Sequence, residues 1–201
     1  IIENGRSIKD NYSDANFCKK LEIYKNSSDT RVLLNVGRIV PQKNQLMLIN
    51  SVDQLIKDGF DAVLLIIGAE LDEKVLSKIK DLNSKSTYIL GERTNVIDYL
   101  KASDAFCLSS LHEGMPISLI EAFATGAISI STPAGGVVNM IDDGVNGFIS
   151  EDFSEEAYVR TLKRFFNLDE AEKKEMRKNS KLNFGNYSIE RVSEQYLKEF
   201  Y

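Results

Sequence analysis

Short uninterrupted apolar runs recur along the chain from residue 31 onward. The runs are RVLLNVG (31–37), AVLLIIG (62–68), STYILG (86–91), DAFCLSS (104–110), AISIST (127–132) and NGFIS (146–150). An apolar run of this length without polar alternation predicts a strand that is covered on both faces. The pattern therefore predicts six strands in a buried parallel sheet.

Segments with helical spacing separate these runs. They are QLMLINSVDQLIKDG (45–59), LDEKVLSKIKDL (71–82), NVIDYLKAS (95–103), residues 116–124 and a helical turn at GGVVNMI (135–141). Three more close the chain, at 154–167, 169–184 and 188–201. Regular alternation of strand and helix predicts an α/β fold with a doubly wound parallel sheet of the Rossmann type.

Composition divides the chain into three parts. Residues 1–30 are polar and irregular, which predicts a linker, with a short helix near DANFCKKLEIY (14–24). Residues 31–185 form the predicted α/β domain, and residues 186–201 a closing helix. The chain begins at Ile1 rather than Met, so we expect a fragment of a longer protein.

Composition also excludes several classes of function. No apolar run approaches the roughly 20 residues of a membrane span. The net charge of −5 disfavours a general nucleic-acid binder. One histidine and two cysteines disfavour most zinc sites, and Cys107, inside an apolar run, is expected to be a buried hydrophobe. A cytoplasmic setting follows from the lack of a visible signal peptide.

Candidate chemistry lies where the strands end, because ligands of open parallel sheets bind outside the carboxyl ends of the strands. Gly37, Arg38 and Lys43 follow the first strand. An arginine fork and a lysine point charge on one Gly/Pro loop suit a phosphate-rich ligand. The alternative is that both cations are solvated surface charges.

The segment LHEGMPISLIEAFATG (111–126) follows the fourth strand. Pro116 suits the first position of the next helix, so the free amides of the helix start are expected to attract an anion. After the fifth strand, Gly135 and Gly136 either allow close backbone approach or form a simple turn.

Two glutamates mark the same segment. Glu121 lies in a helix that is apolar almost all the way round, where an unpaired carboxylate is costly. It could accept from the two hydroxyls of a ribose, or form an ion pair with Arg38 or Lys43. Glu113, in the preceding turn, could pair with Lys43 or accept a sugar hydroxyl. The neighbouring His112 is assigned no role.

The E-x7-E spacing from Glu113 to Glu121, together with GRIVPQK, PAGG and DDGVNGF, resembles the group 1 glycosyltransferases, the retaining GT-B enzymes of family 4. The resemblance covers most of the chain and corresponds to the C-terminal, donor-binding half of such an enzyme. It implies that residues 31–185 are the nucleotide-sugar-binding domain and that residues 1–30 are the hinge or linker from a missing N-terminal domain. It implies that Arg38 and Lys43 bind the donor diphosphate and stabilise the leaving nucleotide. Glu121 would then bind the ribose, and Glu113 would lie beside the transferred sugar.

Further contacts are implied by the same resemblance. The backbone after Glu113 would touch sugar or phosphate, through Gly114, Met115, Pro116 and Ile117. Arg93 and Thr94, in the loop GERTN, would lie beside the base, and Gly37 would border the donor. Relatives often carry an acidic residue soon after the glycine pair, where this chain has Asn139, so that position is assigned no role.

The implied reaction is transfer of a hexosyl or N-acetylhexosaminyl group from a UDP- or GDP-sugar with retention of configuration. No D-x-D motif is present, so neither a metal nor a cofactor is expected. The acceptor would be a glycan or a lipid-linked glycan, bound through the missing N-terminal domain, in the synthesis of capsule or lipopolysaccharide. Peripheral membrane contact would also involve that domain, and the chain alone would bind nucleotide without efficient transfer.

Two other interpretations stay open at this point. A sugar phosphorylase or an epimerase could use the same fold with different chemistry. A non-catalytic nucleotide-binding module would also fit, and would be favoured if Arg38, Lys43 and Glu121 did not face one crevice.

Overall fold

A computed structural model describes residues 17–191, 193 and 197. Six parallel strands form one sheet in the order β3-β2-β1-β4-β5-β6. They are β1 (Arg31–Val36), β2 (Ala62–Ile67), β3 (Thr87–Gly91), β4 (Ala105–Leu108), β5 (Ile128–Ser131) and β6 (Gly147–Ile149). This is the strand order of a doubly wound Rossmann domain, so the predicted fold class is confirmed.

Seven α-helices lie within the described residues. They are α1 (Phe17–Leu21), α2 (Gln45–Lys57), α3 (Glu73–Leu82), α4 (Val96–Ala102), α5 (Ile117–Thr125), α6 (Glu155–Phe166) and α7 (Glu170–Phe184). Short 3₁₀ helices occupy 22–24, 41–43 and 135–139. No helix among these residues has both the length and the apolar character that crossing a membrane requires.

The sheet is covered on both faces, as its uninterrupted apolar strands require. One face packs against apolar side chains of α2, α3 and α6. The other packs against α1, α4, α5 and the 3₁₀ helix at 135–139. Successive side chains of β1 divide between the two layers, with Leu33 in the first and Val32 and Leu34 in the second.

The first described residues of the chain pack against the sheet domain. The segment expected to be a linker contains α1, whose Phe17 and Leu21 are buried against the second layer. Its connection to another domain stays a prediction. Of the predicted closing helix 186–201, only part lies within the described residues, and Tyr187 there is buried.

Two local expectations about α5 were wrong. Pro116 is the N-cap residue, with an extended backbone (φ −70°, ψ 119°), and the helix begins one residue later at Ile117. The helix is also less buried than its composition suggested. Leu119, Ile120, Ala122 and Phe123 are buried, whereas Ile117 is half exposed and Glu121 only partly buried, because the helix has one face against the sheet.

The two central strands separate at their carboxyl ends. The ladder between β1 and β4 pairs Leu33 with Ala105 and Leu34 with Phe106. One residue further on, the Asn35 side chain donates from Nδ2 to the carbonyl of Cys107 at 2.8 Å. Strand order reverses here, since β2 lies on one side of β1 and β4 on the other, and the loops that follow both strands flank the resulting crevice.

Candidate functional site at the carboxyl ends of the central strands

The loops after β1 and β4 are joined directly to each other. The backbone N–H of Leu111 donates to the carbonyl of Gln42 at 2.9 Å, and Gln42 Nε2 donates to the carbonyl of His112 at 2.9 Å. Ser109 Oγ donates to the carbonyl of Lys43 at 2.7 Å. These hydrogen bonds fix residues that are about 66 to 70 positions apart in sequence.

Lys43 and Glu113 form an ion pair across these two loops. Nζ lies 2.6 Å from Glu113 Oε1, and the two side chains are only 13% and 9% exposed. Ser110 Oγ donates to the same carboxylate oxygen at 2.6 Å. The charges are largely desolvated, so each depends on the other for compensation. Of the two roles considered for Glu113, the ion pair with Lys43 is formed in the structure.

The glycine pair after β5 supports the loop that carries Glu113. Gly136 donates its backbone N–H to the carbonyl of Glu113 at 3.0 Å. A Cβ at Gly135, whose φ is +54°, would collide with that same carbonyl oxygen, and a Cβ at Gly136 would collide with the carbonyl oxygen of Gly114. Both glycines therefore permit close approach of the loops after β4 and β5. The glycine pair allows close backbone approach and is not only a simple turn.

A cleft of about 430 Å³ opens at the carboxyl ends of β1 and β2 and beside the start of α4. It brings together three predicted donor-binding residues, namely Gly37, Arg38 and Arg93. The rest of its wall mixes apolar, small and acidic residues: Val36, Ile67, Gly68, Ala69, Leu71, Glu92 and Val96. Thr94 is exposed and does not border this cleft in the described structure.

Gly37 connects the cleft to the ion pair. A Cβ built on Gly37 would lie 3.3 Å from Lys43 Cε and 3.4 Å from Lys43 Cδ, so the lysine side chain runs along this glycine. Gly68 approaches from the other side, where a Cβ would collide with the Gly37 carbonyl oxygen. Gly37 therefore borders the cleft beside Arg38 and also lies against the Lys43 side chain.

The backbone at Arg38 is held from two directions. The N–H of Ile39 donates to the carbonyl of Ala69 at 2.8 Å, which ties the loop to the end of β2. Gln45 Nε2, at the start of α2, donates to the Arg38 carbonyl at 2.9 Å. Gln45 is fully buried, whereas the Arg38 side chain is exposed at the cleft.

The start of α5 offers backbone amides near the same edge of the sheet. Leu119 and Ile120 both donate to the Pro116 carbonyl, so the preceding amides of Ile117 and Ser118 have no acceptor within the helix. Glu121 lies one helical turn after Ile117 and therefore on the same, less buried face of α5. Pro116 is buried, and Met115 is partly buried and packs against the apolar layer on the same face of the sheet.

Several residues of the site were not identified from sequence. Leu71, Glu92 and Val96 border the cleft, and Ser110 and Gln45 hold the charged residues in place. The rule that ligands bind where strands end could have directed attention to Gly68 and to the serines after β4. No periodic signal marks Gln45, because it is the first residue of an otherwise ordinary amphipathic helix.

The buried cysteine is not part of the site. Burial raises the pKa of Cys107 to about 12, which keeps it a neutral thiol, and the neighbouring Tyr158 hydroxyl donates to the Ile130 carbonyl at 2.9 Å. Within the described part of the chain, no three His, Cys, Asp or Glu side chains gather closely enough to hold a metal ion.

Comparison with protein families matches residues 18–183 to the model described as glycosyl transferases group 1. Among characterised relatives, an Escherichia coli UDP-Gal:alpha-D-GlcNAc-diphosphoundecaprenol alpha-1,3-galactosyltransferase is 33% identical over 141 residues. That match covers 66% of this chain and 36% of the relative. The chain therefore spans little more than a third of that enzyme's length.

Solved structures share the fold over nearly the whole chain. A glycosyltransferase from Rickettsia africae superposes with a TM-score of 0.88 at 22% identity, covering 99% of this chain and 55% of the other. Anabaena Alr3699/HepE, crystallised in complex with UDP and glucose, superposes with a TM-score of 0.81 at 18% identity, covering 94% and 53%. Both are about twice as long as the present chain.

Proposed function

The chain belongs to the group 1 glycosyl transferases, and we propose that it forms the donor-binding half of a retaining enzyme that uses a nucleoside diphosphate sugar. UDP is the favoured nucleotide, since the E. coli relative is named for a UDP-sugar and the Anabaena neighbour was crystallised with UDP. The chain covers about half or less of these proteins, so a second domain would supply the acceptor site.

One observation carries this proposal: Arg38 and Arg93 share a cleft that adjoins the Lys43–Glu113 pair through Gly37. The cleft is lined by two cations, two glycines, apolar side chains and one carboxylate, Glu92. The cations and glycines are suitable contacts for a diphosphate, and the apolar side chains for a planar base. Lys43, whose side chain lies against Gly37, would be close enough to interact with the negative charge of the diphosphate.

Glu121 and the amides of Ile117 and Ser118 supply complementary contacts in this proposal. Two adjacent ribose hydroxyls can donate to a single carboxylate, and Glu121 is on the helix face that begins with those amides. The amides at a helix start favour a phosphate oxygen by about 0.3–1 kcal/mol, and more where the site is partly buried.

The reaction would break the bond between the anomeric carbon and the diphosphate and form a bond to the oxygen of an acceptor hydroxyl on the same face of the sugar. The proton of that hydroxyl would pass to the departing diphosphate. Negative charge accumulates on the departing diphosphate, where Arg38, Lys43 and the amides would stabilise it. A single well-placed donor of this kind contributes about 3–4 kcal/mol in the transition state. Glu113, held by Lys43 and Ser110, would orient a hydroxyl of the transferred sugar.

The acceptor in this proposal is a glycan or a lipid-linked glycan of a bacterial surface polysaccharide, because the E. coli relative is named for a diphosphoundecaprenol acceptor. Any contact with the membrane would be peripheral and would involve the second domain. No resident metal is part of the proposal, since the cations of the chain itself provide the positive charge.

Isothermal titration calorimetry of the chain with UDP, GDP and ADP, with magnesium and with EDTA, tests this function. We expect one nucleotide to bind with an affinity that EDTA leaves unchanged. Binding that requires magnesium would contradict the metal-free diphosphate site. A folded chain that binds none of the three, together with a two-domain protein that also binds none, would contradict the proposed function itself.

A further inference from the structure

Gln45 occupies an unusual environment for an amide side chain. It is fully buried at the first position of α2, and its Nε2 donates to the Arg38 carbonyl at 2.9 Å. Its Oε1 is buried and has no hydrogen-bond partner among the described residues. A buried acceptor without a partner costs free energy, and an apolar side chain of the same volume would avoid that cost.

The hydrogen bond of Gln45 ends on Arg38, one of the two cationic residues that line the cleft. Arg38 follows Gly37 in the loop after β1, and its side chain is exposed. Three hydrogen bonds hold this backbone in the described structure: the Gly37 N–H donates to the Ile67 carbonyl, the Ile39 N–H to the Ala69 carbonyl, and Gln45 Nε2 to the Arg38 carbonyl. The last two act on the same peptide group, between Arg38 and Ile39, whose N–H is held by the end of β2 and whose oxygen is held by the Gln45 side chain.

We infer that Gln45 is a positioning residue for the nucleotide site, which holds the Arg38 peptide so that the guanidinium meets the diphosphate. This inference rests on the proposed function. In this role the buried amide orders residues 37–44 before a ligand binds. The conformational entropy of these residues is then already lost in the free protein and does not oppose binding. Gln45 need not touch the ligand.

The test is the variant Gln45→Met, which keeps the length of the side chain and removes both the donor and the unpartnered oxygen. The first readout is amide hydrogen exchange of residues 37–44 in the chain without ligand. We expect exchange to become at least severalfold faster there while the exchange of β2 is unchanged. Gln54→Met is the matched control, because Gln54 lies on the same helix and donates only to Asp58 of that helix.

The second readout is UDP affinity in a double-mutant cycle with Arg38→Ala. We expect Gln45→Met to weaken binding roughly 10- to 100-fold when Arg38 is present. In the Arg38→Ala background the same substitution should change affinity less than twofold. A general structural defect would weaken binding equally in both backgrounds.

The outcomes separate the inference from the function on which it rests. Unchanged exchange of residues 37–44 in Gln45→Met overturns the inference, whether or not UDP binds. Equal losses of affinity in the two backgrounds also overturn it. If the unsubstituted protein bound no nucleoside diphosphate, the proposed function would fail and the positioning role would fail with it. Should Gln45→Met unfold, Gln45→Leu is measured in the same way.

Discussion

Nζ of Lys43 lies 2.6 Å from Oε1 of Glu113, and this contact joins the loops after β1 and β4 at the point where the strand order reverses. Ser110 donates to the same oxygen. In the ligand-free chain each charge is therefore compensated by the other. A bound diphosphate would offer Lys43 a second negative partner without requiring the pair to break.

Neutralising both members of this pair should destabilise the fold less than the sum of the two single losses. We expect Lys43→Met or Glu113→Gln alone to lower the free energy of unfolding by about 2–4 kcal/mol, because either leaves a poorly solvated charge behind. The double variant should be more stable than the sum of the two losses predicts by about 1 kcal/mol or more. Urea unfolding of the unsubstituted protein, the two single variants and the double variant measures these free energies of unfolding. Strictly additive losses would contradict the prediction.

Arg38→Ala should abolish most of the turnover in a protein that includes both domains. We expect a loss of roughly 100-fold or more in kcat, as is typical when a donor to a developing negative charge is removed. The matched control is Arg160→Ala on α6, where an exposed arginine pairs with Glu151 far from the site. Turnover at the unsubstituted rate in Arg38→Ala would remove this residue from the proposed mechanism.

Glu121→Ala should weaken nucleoside diphosphate binding by about 1–3 kcal/mol, the range for a charged hydrogen-bond partner. Calorimetry with the nucleotide selected above measures the change, and circular dichroism establishes that the variant is folded. Glu175→Ala, an exposed carboxylate on α7, serves as the control. Equal affinities of Glu121→Ala and the control would exclude a ribose contact.

Two neighbouring glycines should differ sharply in their tolerance of alanine. Gly136→Ala places a methyl group against the Gly114 carbonyl oxygen, and we expect a loss of about 1–3 kcal/mol in stability. A Cβ on Gly114 meets nothing within 4 Å, so Gly114→Ala should stay within about 0.5 kcal/mol. Thermal unfolding of both variants distinguishes them, and similar midpoints would mean that the two loops are not in close contact.

Asp61 should stabilise the domain at neutral pH and lose that contribution as the pH becomes acidic. Burial alone would raise the pKa of Asp61, but hydrogen bonds from Thr30, Ser27 and Asn26 outweigh it and hold the pKa below the usual 3.8. A lowered pKa contributes stability above pH 3.8 that is lost as the pH falls through the folded-state value.

The variant Asp61→Asn should therefore lose less stability on acidification than the unsubstituted protein. Urea unfolding at a series of pH values from neutral to 3 gives both curves, and their separation should shrink toward the acid end. Parallel curves over that range would show that Asp61 titrates alike in the folded and unfolded chains.

Most of the fold could be predicted because buried parallel strands are apolar on both sides. The six runs of the sequence correspond to β1–β6 within one or two residues at most ends. The burial of α5 was overestimated for a related reason. Ile117 and Ala124 are apolar but lie on the outer face, and composition does not state which face of a short helix meets the sheet.

The charged residues of the site were easier to predict than the residues that hold them. Arg38, Lys43 and Glu113 follow strands, and the sheet topology alone brings such positions to one edge. Ser110 and Gln45 act through single hydrogen bonds to groups that are distant in sequence or part of the backbone. Such contacts leave no spacing or periodicity in the chain, so only the folded structure identifies them.

The short ladder between β1 and β4 has a consequence for the order of folding. Within each half of the sheet, β1–β3 or β4–β6, paired strands are neighbours along the chain, whereas Asn35 and Cys107 join positions 72 residues apart. Contacts of such long range close late, because their loop entropy must be overcome first. The two halves can therefore acquire their own sheets while Lys43 and Glu113 are still apart. The cleft lined by Arg38 and Arg93 would form with the first half, whereas the contacts of Glu113 and of the start of α5 would join it only at the final assembly step.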